Sequence, residues 1–186
     1  MRVIAGSRRS LPLLSVEGRD TRPTTDRIKE TLFNMLMPQI PGCRFLDVFA
    51  GSGGIGIEAL SRGASFSCFV ENSQKALKVI EENVKFTKFT DSSKIIRADA
   101  QKLFLTKNPD EPYDIVFLDP PYALGCEKSV MEQLLSNNNW TNKDTLYIIE
   151  AALKTDFSWV GELGCVIIKN KEYKTNKHVF IRLGES

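Results

Sequence analysis

Histidine and paired cysteine are what this sequence lacks. Its 186 residues hold one histidine, His178, and four cysteines, Cys43, Cys68, Cys126 and Cys165, none of them in a CxxC pair. That scarcity argues against a catalytic transition-metal site, a zinc module or a small disulfide scaffold, so no metal is expected. It also leaves few options for a histidine-dependent triad. Cys68 and Cys165 sit inside apolar strand-like runs and read as core thiols, which suits a reducing, cytoplasmic compartment. No apolar run approaches the roughly 20 residues that a membrane span needs, so no membrane partner is expected. The start, MRVIAGSRRS, has charge but is followed by no apolar signal-peptide core, and the early acids Glu17 and Asp20 speak against a transit peptide. Excess charge is missing too: a net charge of +2 does not announce a nucleic-acid binder. The distribution says more. Arg2, Arg8 and Arg9 precede any acid, and KNKEYKTNKH sets Lys169, Lys171, Lys174 and Lys177 against Glu172 alone. These are two solvated segments, or one basic patch if the fold joins them.

What is present is an alternation of strand and helix signals from about Arg44 onward. RFLDVF, SFSCFV, KIIRA, DIVFLD and TLYIIEA read as buried strands. GIGIEALSRG, SQKALKVIEENVKF and EKSVMEQLLS read as helices, the second with Ser73 as N-cap and Ala76, Leu77, Ile80 and Val84 on its apolar face. Such alternation implies parallel βαβ units, hence a Rossmann-like α/β sheet. The rhythm breaks at the end. GCVIIKNKEY and HVFIRL are separated only by KTNK, too short for a crossover, so they predict an antiparallel hairpin. TRPTTDRIKETLFNML predicts a helix after Pro23, with Ile28, Leu32, Phe33 and Leu36 inward. RVIAG and SLPLLSVEG predict a small strand pair ahead of it. The expected organisation is one domain, 1–186, with an N-terminal extension over 1–40 and a Rossmann-like core over 41–186.

Two loops carry chemistry. LDVFAGSGGIGIEAL follows the first strand and opens a helix, and Gly51, Gly53 and Gly56 match the spacing of a dinucleotide fingerprint. Glycines there let backbone approach a ligand. Yet Asp47, at the strand end beside the loop, would repel a pyrophosphate and attract a cationic ligand. S-adenosylmethionine carries an ammonium and a sulfonium and no phosphate. Glu71 after the second strand is placed to accept hydrogen bonds from ribose hydroxyls. Asp99 after the third lies near an adenine rim or caps the turn that follows it.

The second loop is Asp119-Pro120-Pro121-Tyr122, after the fourth strand. Proline lacks the donor that a ladder needs, so the loop begins where the strand stops, at the edge where open α/β sheets bind ligands. An exocyclic nucleobase amine is a poor nucleophile, because its lone pair is delocalised into the ring. Two fixed acceptors, the Asp119 carboxylate and the Pro120 carbonyl, would draw it towards tetrahedral geometry. Tyr122 offers a face for the base to stack on. Ring-carbon methylation would need a nucleophilic cysteine, and only Cys126 lies nearby.

RPTTDRIKETLFNML, FLDVFAGSGGIGIEALSRGA and DIVFLDPPY together resemble the bacterial 16S rRNA guanine-N2 methyltransferase family, the RsmD family, over nearly the whole chain. DPPY alone is shared with many amino-methyltransferases; the N-terminal segment is the specific part. The resemblance implies a seven-stranded S-adenosylmethionine-dependent fold, mostly parallel, that methylates N2 of one guanine in the small ribosomal subunit; a monomer is the default expectation. It implies cofactor contacts from Thr25, Arg27, Asp47, Phe49, Ala50, Gly51, Ser52, Gly53, Glu71, Asp99 and Ala100, with Asp119, Pro120, Pro121 and Tyr122 as the catalytic loop. Thr25 and Arg27 resemble the part that closes over the methionine end of the cofactor. Gly54 departs from the family, whose members often carry alanine there. Arg2, Arg8, Arg9, Lys171 and Lys174 would face RNA. The rival readings are an adenine-N6 methyltransferase acting on RNA or DNA, a NAD-dependent oxidoreductase using the glycine loop, and a non-catalytic RNA-binding protein.

Overall fold

The computed structural model describes residues 1–16, 25–122, 124–136 and 139–184. It divides into two compact units, Met1–Ala98 and Asp99–Ser186. Among the described residues, no helix is long and apolar enough to cross a membrane.

The first unit holds α1 (Asp26–Leu36), β1 (Arg44–Val48), α2 (Gly54–Ser61), β2 (Phe66–Glu71), α3 (Gln74–Phe86) and β3 (Ser93–Arg97). Its strands run in the order β3-β2-β1, all parallel, with Leu46 beside Cys68 and Cys68 beside Lys94. β1 and β2 are apolar without alternation because both faces are covered. The α2–β2 packing depends on Gly56. A Cβ there would come within 2.4 Å of a Phe69 ring carbon and 2.6 Å of Ser67 Oγ. Ser73 caps α3, and the apolar stripe of that helix is buried as its spacing predicts.

The N-terminal helix differs from expectation in an instructive way. It starts at Asp26 with Thr25 as N-cap, whose hydroxyl accepts from Ile28 N. The upstream part of the predicted segment, residues 21–24 with Arg22 among them, lies outside the described residues. Leu32, Phe33 and Leu36 are buried, but the fourth buried residue is Lys29, only 1% exposed, while Ile28 is half-buried. A lysine can be buried here because Glu58 on α2 lies 3.4 Å away and the ammonium also donates to Arg2 O at 2.6 Å.

The expected N-terminal strand pair is reduced to a single antiparallel bridge, Arg2 with Pro12, around a turn of 3-10 helix at Gly6–Arg8. The arms of this strap pair through Val3 N to Leu11 O, Ser10 N to Val3 O and Leu13 N to Met1 O, at 2.9–3.0 Å. The next donors turn to α2: Ile4 N and Ala5 N donate to the two Glu58 oxygens at 2.8 and 3.0 Å, and Arg8 N donates to Ser61 Oγ at 3.0 Å. Donors that would extend the ladder are met by α2 side chains, so the pairing stays short.

The second unit holds α4 (Ala100–Leu103), β4 (Tyr113–Leu118), α5 (Glu127–Leu135), β5 (Thr141–Ala152), β6 (Cys165–Glu172) and β7 (Asn176–Leu183). Its strands run β4-β5-β7-β6: β4 and β5 are parallel, and β7 is antiparallel to both β5 and β6. The predicted hairpin is therefore present, and the seven strands with their helices make a mixed α/β architecture. β5 begins earlier than TLYIIEA suggests. Thr141 pairs with Tyr113 and Leu146 with Ile115, so four polar-rich residues bulge out between them. All four cysteines are buried.

Glu58 is the counter-charge for buried Lys29 and also meets Arg62 Nε at 2.7 Å. Glu58→Gln leaves both cations without it, and a loss of about 3–5 kcal/mol in unfolding free energy is expected. Urea denaturation measures this; a change below about 1 kcal/mol would show that the cluster is not what holds α1 and the strap to α2.

Candidate active site

In the first unit, the β1–α2 turn gathers most of the residues expected to hold a cofactor. Phe49 leaves β1 with φ +64°, a conformation that a bulky residue rarely takes. Ala50 N donates to Val70 O at 3.0 Å, and Gly53 N closes the turn on Ala50 O at 2.8 Å. Gly53 takes φ +78° as the N-cap of α2, which only glycine adopts without strain.

Two acids build this loop. Asp47 is 2% exposed and its Oδ2 accepts Gly56 N at 2.9 Å. Burial pushes its pKa up to about 8, and Glu71 pushes in the same direction, against the Gly56 N–H. At neutral pH in this structure Asp47 is thus largely a neutral, loop-holding group rather than the open anion its sequence position suggests. Glu71 is buried at the end of β2. Its Oε2 accepts Gly51 N at 2.9 Å, and its Oε1 accepts Asn72 N and Ser73 N at 2.9 and 2.8 Å. These backbone donors fix the carboxylate at the edge of the turn.

The sequence reading missed Asn83. It is buried on α3, and its Nδ2 donates to Ser52 O at 2.9 Å. The signal was available: a polar residue between Ile80 and Val84 on the apolar face of α3 needs a partner. The fit to a nucleoside-bearing cofactor rests on this turn, with its positive-φ glycines and a buried carboxylate beside the backbone. Of the other expected contacts, Thr25 caps α1 and Arg27 is exposed on the same helix.

In the second unit, Asp99 caps α4: its Oδ1 accepts Gln101 N at 3.0 Å, and Ala100 behind it is buried. β4 stops at Leu118, and Asp119 follows it as the sequence predicts. Asp119 is half-buried, Pro120 buried, Pro121 exposed, and Tyr122 is 49% exposed. Leu124 N donates to Pro121 O at 2.9 Å, so the loop turns immediately after the prolines. An accessible ring beside a pinned acid is what stacking on a planar ligand requires. Cys126 is buried, and burial, with help from Glu127, pushes its thiol up and away from the thiolate form.

The lone histidine is structural. His178 Nε2 lies 3.0 Å from Glu150 Oε2, its Nδ1 lies 3.1 Å from the Tyr173 hydroxyl, and Asn176 Nδ2 donates to Glu150 Oε1 at 2.6 Å.

The expected RNA contacts fall in both units. Arg2 is paired with Asp26 at 2.8 Å. Arg8 donates to Thr87 O at 2.7 Å and lies over the Phe89 ring, whereas Arg9 is exposed. Lys171 is on β6 with its ammonium 5.9 Å from the Tyr173 ring, and Lys174 is exposed in the β6–β7 turn. Among the described residues no cluster of three His, Cys, Asp or Glu is arranged to hold a metal ion.

Asp47 gives a pH signature. Its folded pKa of about 8 exceeds the unfolded carboxylate value of about 3.9, so the native state holds a proton that the unfolded chain releases. That contribution is full below about pH 4 and is lost as pH rises to about 8. In cofactor-free protein, Asp47→Asn is expected to flatten the decline of stability across this window, measured by denaturation at a series of pH values; an unchanged slope would refute the assignment.

Comparison with known proteins gives this geometry a lineage. The family model described as conserved hypothetical protein 95 matches residues 1–182. Ribosomal RNA small subunit methyltransferase D of Haemophilus influenzae is 39% identical over 153 residues, covering 81% of this chain and 78% of that protein. The protein of the same name from Buchnera aphidicola is 42% identical over 133 residues, covering 72% and 68%. The solved structure of yhhF from Escherichia coli superposes with a TM-score of 0.87 at 29% identity, covering 100% of this chain and 99% of that one. A match over almost the whole length, with the glycine turn and the acid-proline loop at the ends of β1 and β4, means that the chain belongs to this family, the RsmD family of methyltransferases.

Proposed function

We propose that the protein transfers a methyl group from S-adenosylmethionine to the exocyclic N2 amine of a guanine in 16S rRNA of the small ribosomal subunit. The observation that carries this reading is the combination of the acid-held glycine turn after β1 with Asp119-Pro120-Pro121-Tyr122 after β4, in a chain whose relatives are named small-subunit rRNA methyltransferases. Glu71, buried beside the turn with its oxygens on the N–H groups of Gly51, Asn72 and Ser73, disfavours a pyrophosphate there and is compatible with an adenosine bearing a cationic side chain.

Most of the residues proposed for the donor lie in the first unit. Gly51, Ser52 and Gly53 bring backbone to it, Glu71 takes a ribose hydroxyl, and Thr25 and Arg27 lie at the methionine end. Asp99 and Ala100 belong to its adenine side. When bound, S-adenosylmethionine supplies an electrophilic methyl, whose carbon bonds to nitrogen as its bond to sulfur breaks. The acceptor falls to the second unit. The Asp119 carboxylate and Pro120 carbonyl each accept a hydrogen bond from the amine, which localises its lone pair. The nitrogen then loses one proton to Asp119 or water. Tyr122 stacks on the base, and the prolines limit reorganisation of the loop. The chemistry uses no metal and no covalent enzyme intermediate. The working form is taken as a cytoplasmic monomer, with Arg2, Arg8, Arg9, Lys171 and Lys174 towards RNA.

Asp119→Ala is expected to leave S-adenosylmethionine affinity within about threefold and to reduce methyl transfer by about 10²–10³, as loss of a preorganised acceptor does elsewhere. Calorimetry and labelled-methyl transfer to unmethylated small subunits measure the two, with the product base identified by mass. Unchanged turnover would refute the role of Asp119, and label on adenine would move the reading to an N6 enzyme.

Replacing Lys171 and Lys174 together with alanine is expected to weaken binding to the small subunit and to reduce the salt slope of log K by about 1–2. An unaltered slope would remove the hairpin from the RNA surface.

A further inference from the structure

The side chain of Asn83 makes three hydrogen bonds that join two functional segments. Its Oδ1 accepts Leu14 N at 2.8 Å, and its Nδ2 donates to Leu14 O at 3.0 Å and to Ser52 O at 2.9 Å. Leu14 belongs to the N-terminal strap, and Ser52 is the middle of the glycine turn. The amide orientation is fixed by these partners, because one backbone N–H and two carbonyls permit only one assignment of O and N. A second contact repeats the link. The Met1 side chain rests against Gly54, where a Cβ would meet its sulfur at 2.6 Å, and Ser52 Oγ lies 3.9 Å from that sulfur. The strap between these two points is held at Glu58 and Ser61 and carries Arg2, Arg8 and Arg9. The strap is therefore bonded directly to the backbone of the glycine turn.

We propose that Asn83 is a positioning residue that couples the strap to the glycine turn, so that S-adenosylmethionine and rRNA tighten each other's binding through it. The proposal rests on the reading of the turn as the S-adenosylmethionine site and of the strap as RNA-facing. Coupling is reciprocal by necessity: if RNA on the strap favours the ordered turn, cofactor on the turn favours the ordered strap. This also accounts for a glycine at 54. Alanine there would force the tip of the Met1 side chain off the turn, and the strap would lose one of its two holds on the loop.

The test is calorimetric titration of S-adenosylmethionine into wild type and Asn83→Ala, with and without saturating unmethylated small subunits. Wild type is expected to bind several-fold more tightly in the presence of subunits. Asn83→Ala is expected to lose about tenfold in affinity for S-adenosylmethionine alone and to reduce the subunit effect towards one. Its KM for S-adenosylmethionine should rise far more than kcat falls, a split that a general loss of fold would not give. Equal affinity and equal coupling in the two proteins would overturn the proposal. Failure of wild type to bind S-adenosylmethionine would instead overturn the reading beneath it. Hydrogen exchange on wild type needs no variant: saturation with S-adenosylmethionine should slow exchange of the Leu14 amide, which donates directly to Asn83 Oδ1. No change at Leu14 would count equally against the coupling.

Discussion

Buried irregular backbone is tolerated only where its donors are met, and in the first unit carboxylates meet them. Asp47 takes Gly56 N, Glu71 takes the N–H groups of Gly51, Asn72 and Ser73, and Glu58 takes those of Ile4 and Ala5. Each acid sits at the end of a strand or on the helix that follows the turn. A glycine-rich loop has little side-chain packing to fix it, so these bonds, with Asn83 on Ser52, set its shape. Lys29 and Arg62 supply the charge that lets Glu58 remain buried among them.

The second unit solves a different problem. A parallel strand such as β5 would leave an open edge, and β7 closes it from the antiparallel direction. That register places His178 opposite Glu150, where the two pair away from solvent with Asn176 and Tyr173. Burial together with Glu150 pushes the Tyr173 hydroxyl up to about 12, so it acts as a hydrogen-bonding group rather than an acid. β6 is left on the outside, with Val166, Ile167 and Ile168 exposed among lysines. Such charges discourage edge-to-edge pairing and suit a polyanionic neighbour.

The two loops differ in what their sequences made legible. The strand-ending role of Asp119-Pro120-Pro121-Tyr122 could be read directly, because proline forbids the ladder whatever surrounds it. The glycine turn could be placed but its electrostatics could not. Asp47 reads as an anion in the sequence and becomes a largely neutral acceptor once both faces of β1 are covered. Asp99 caps α4, which begins at once behind it.

Local rules acting over a few residues were enough to determine the α/β class, the terminal hairpin, the cap at Ser73 and the position of both loops: periodicity, proline and glycine punctuation, and side-chain acceptors ahead of helices. Tertiary structure alone decided that Lys29 is buried, that the N-terminal segment is a strap rather than a strand pair, and that Asn83 binds it to Ser52. Those outcomes depend on partners 27 to 69 residues away along the chain. The pattern of a single segment can mark a polar residue on an apolar face, as for Asn83, but which distant group meets it is set by what else can reach it.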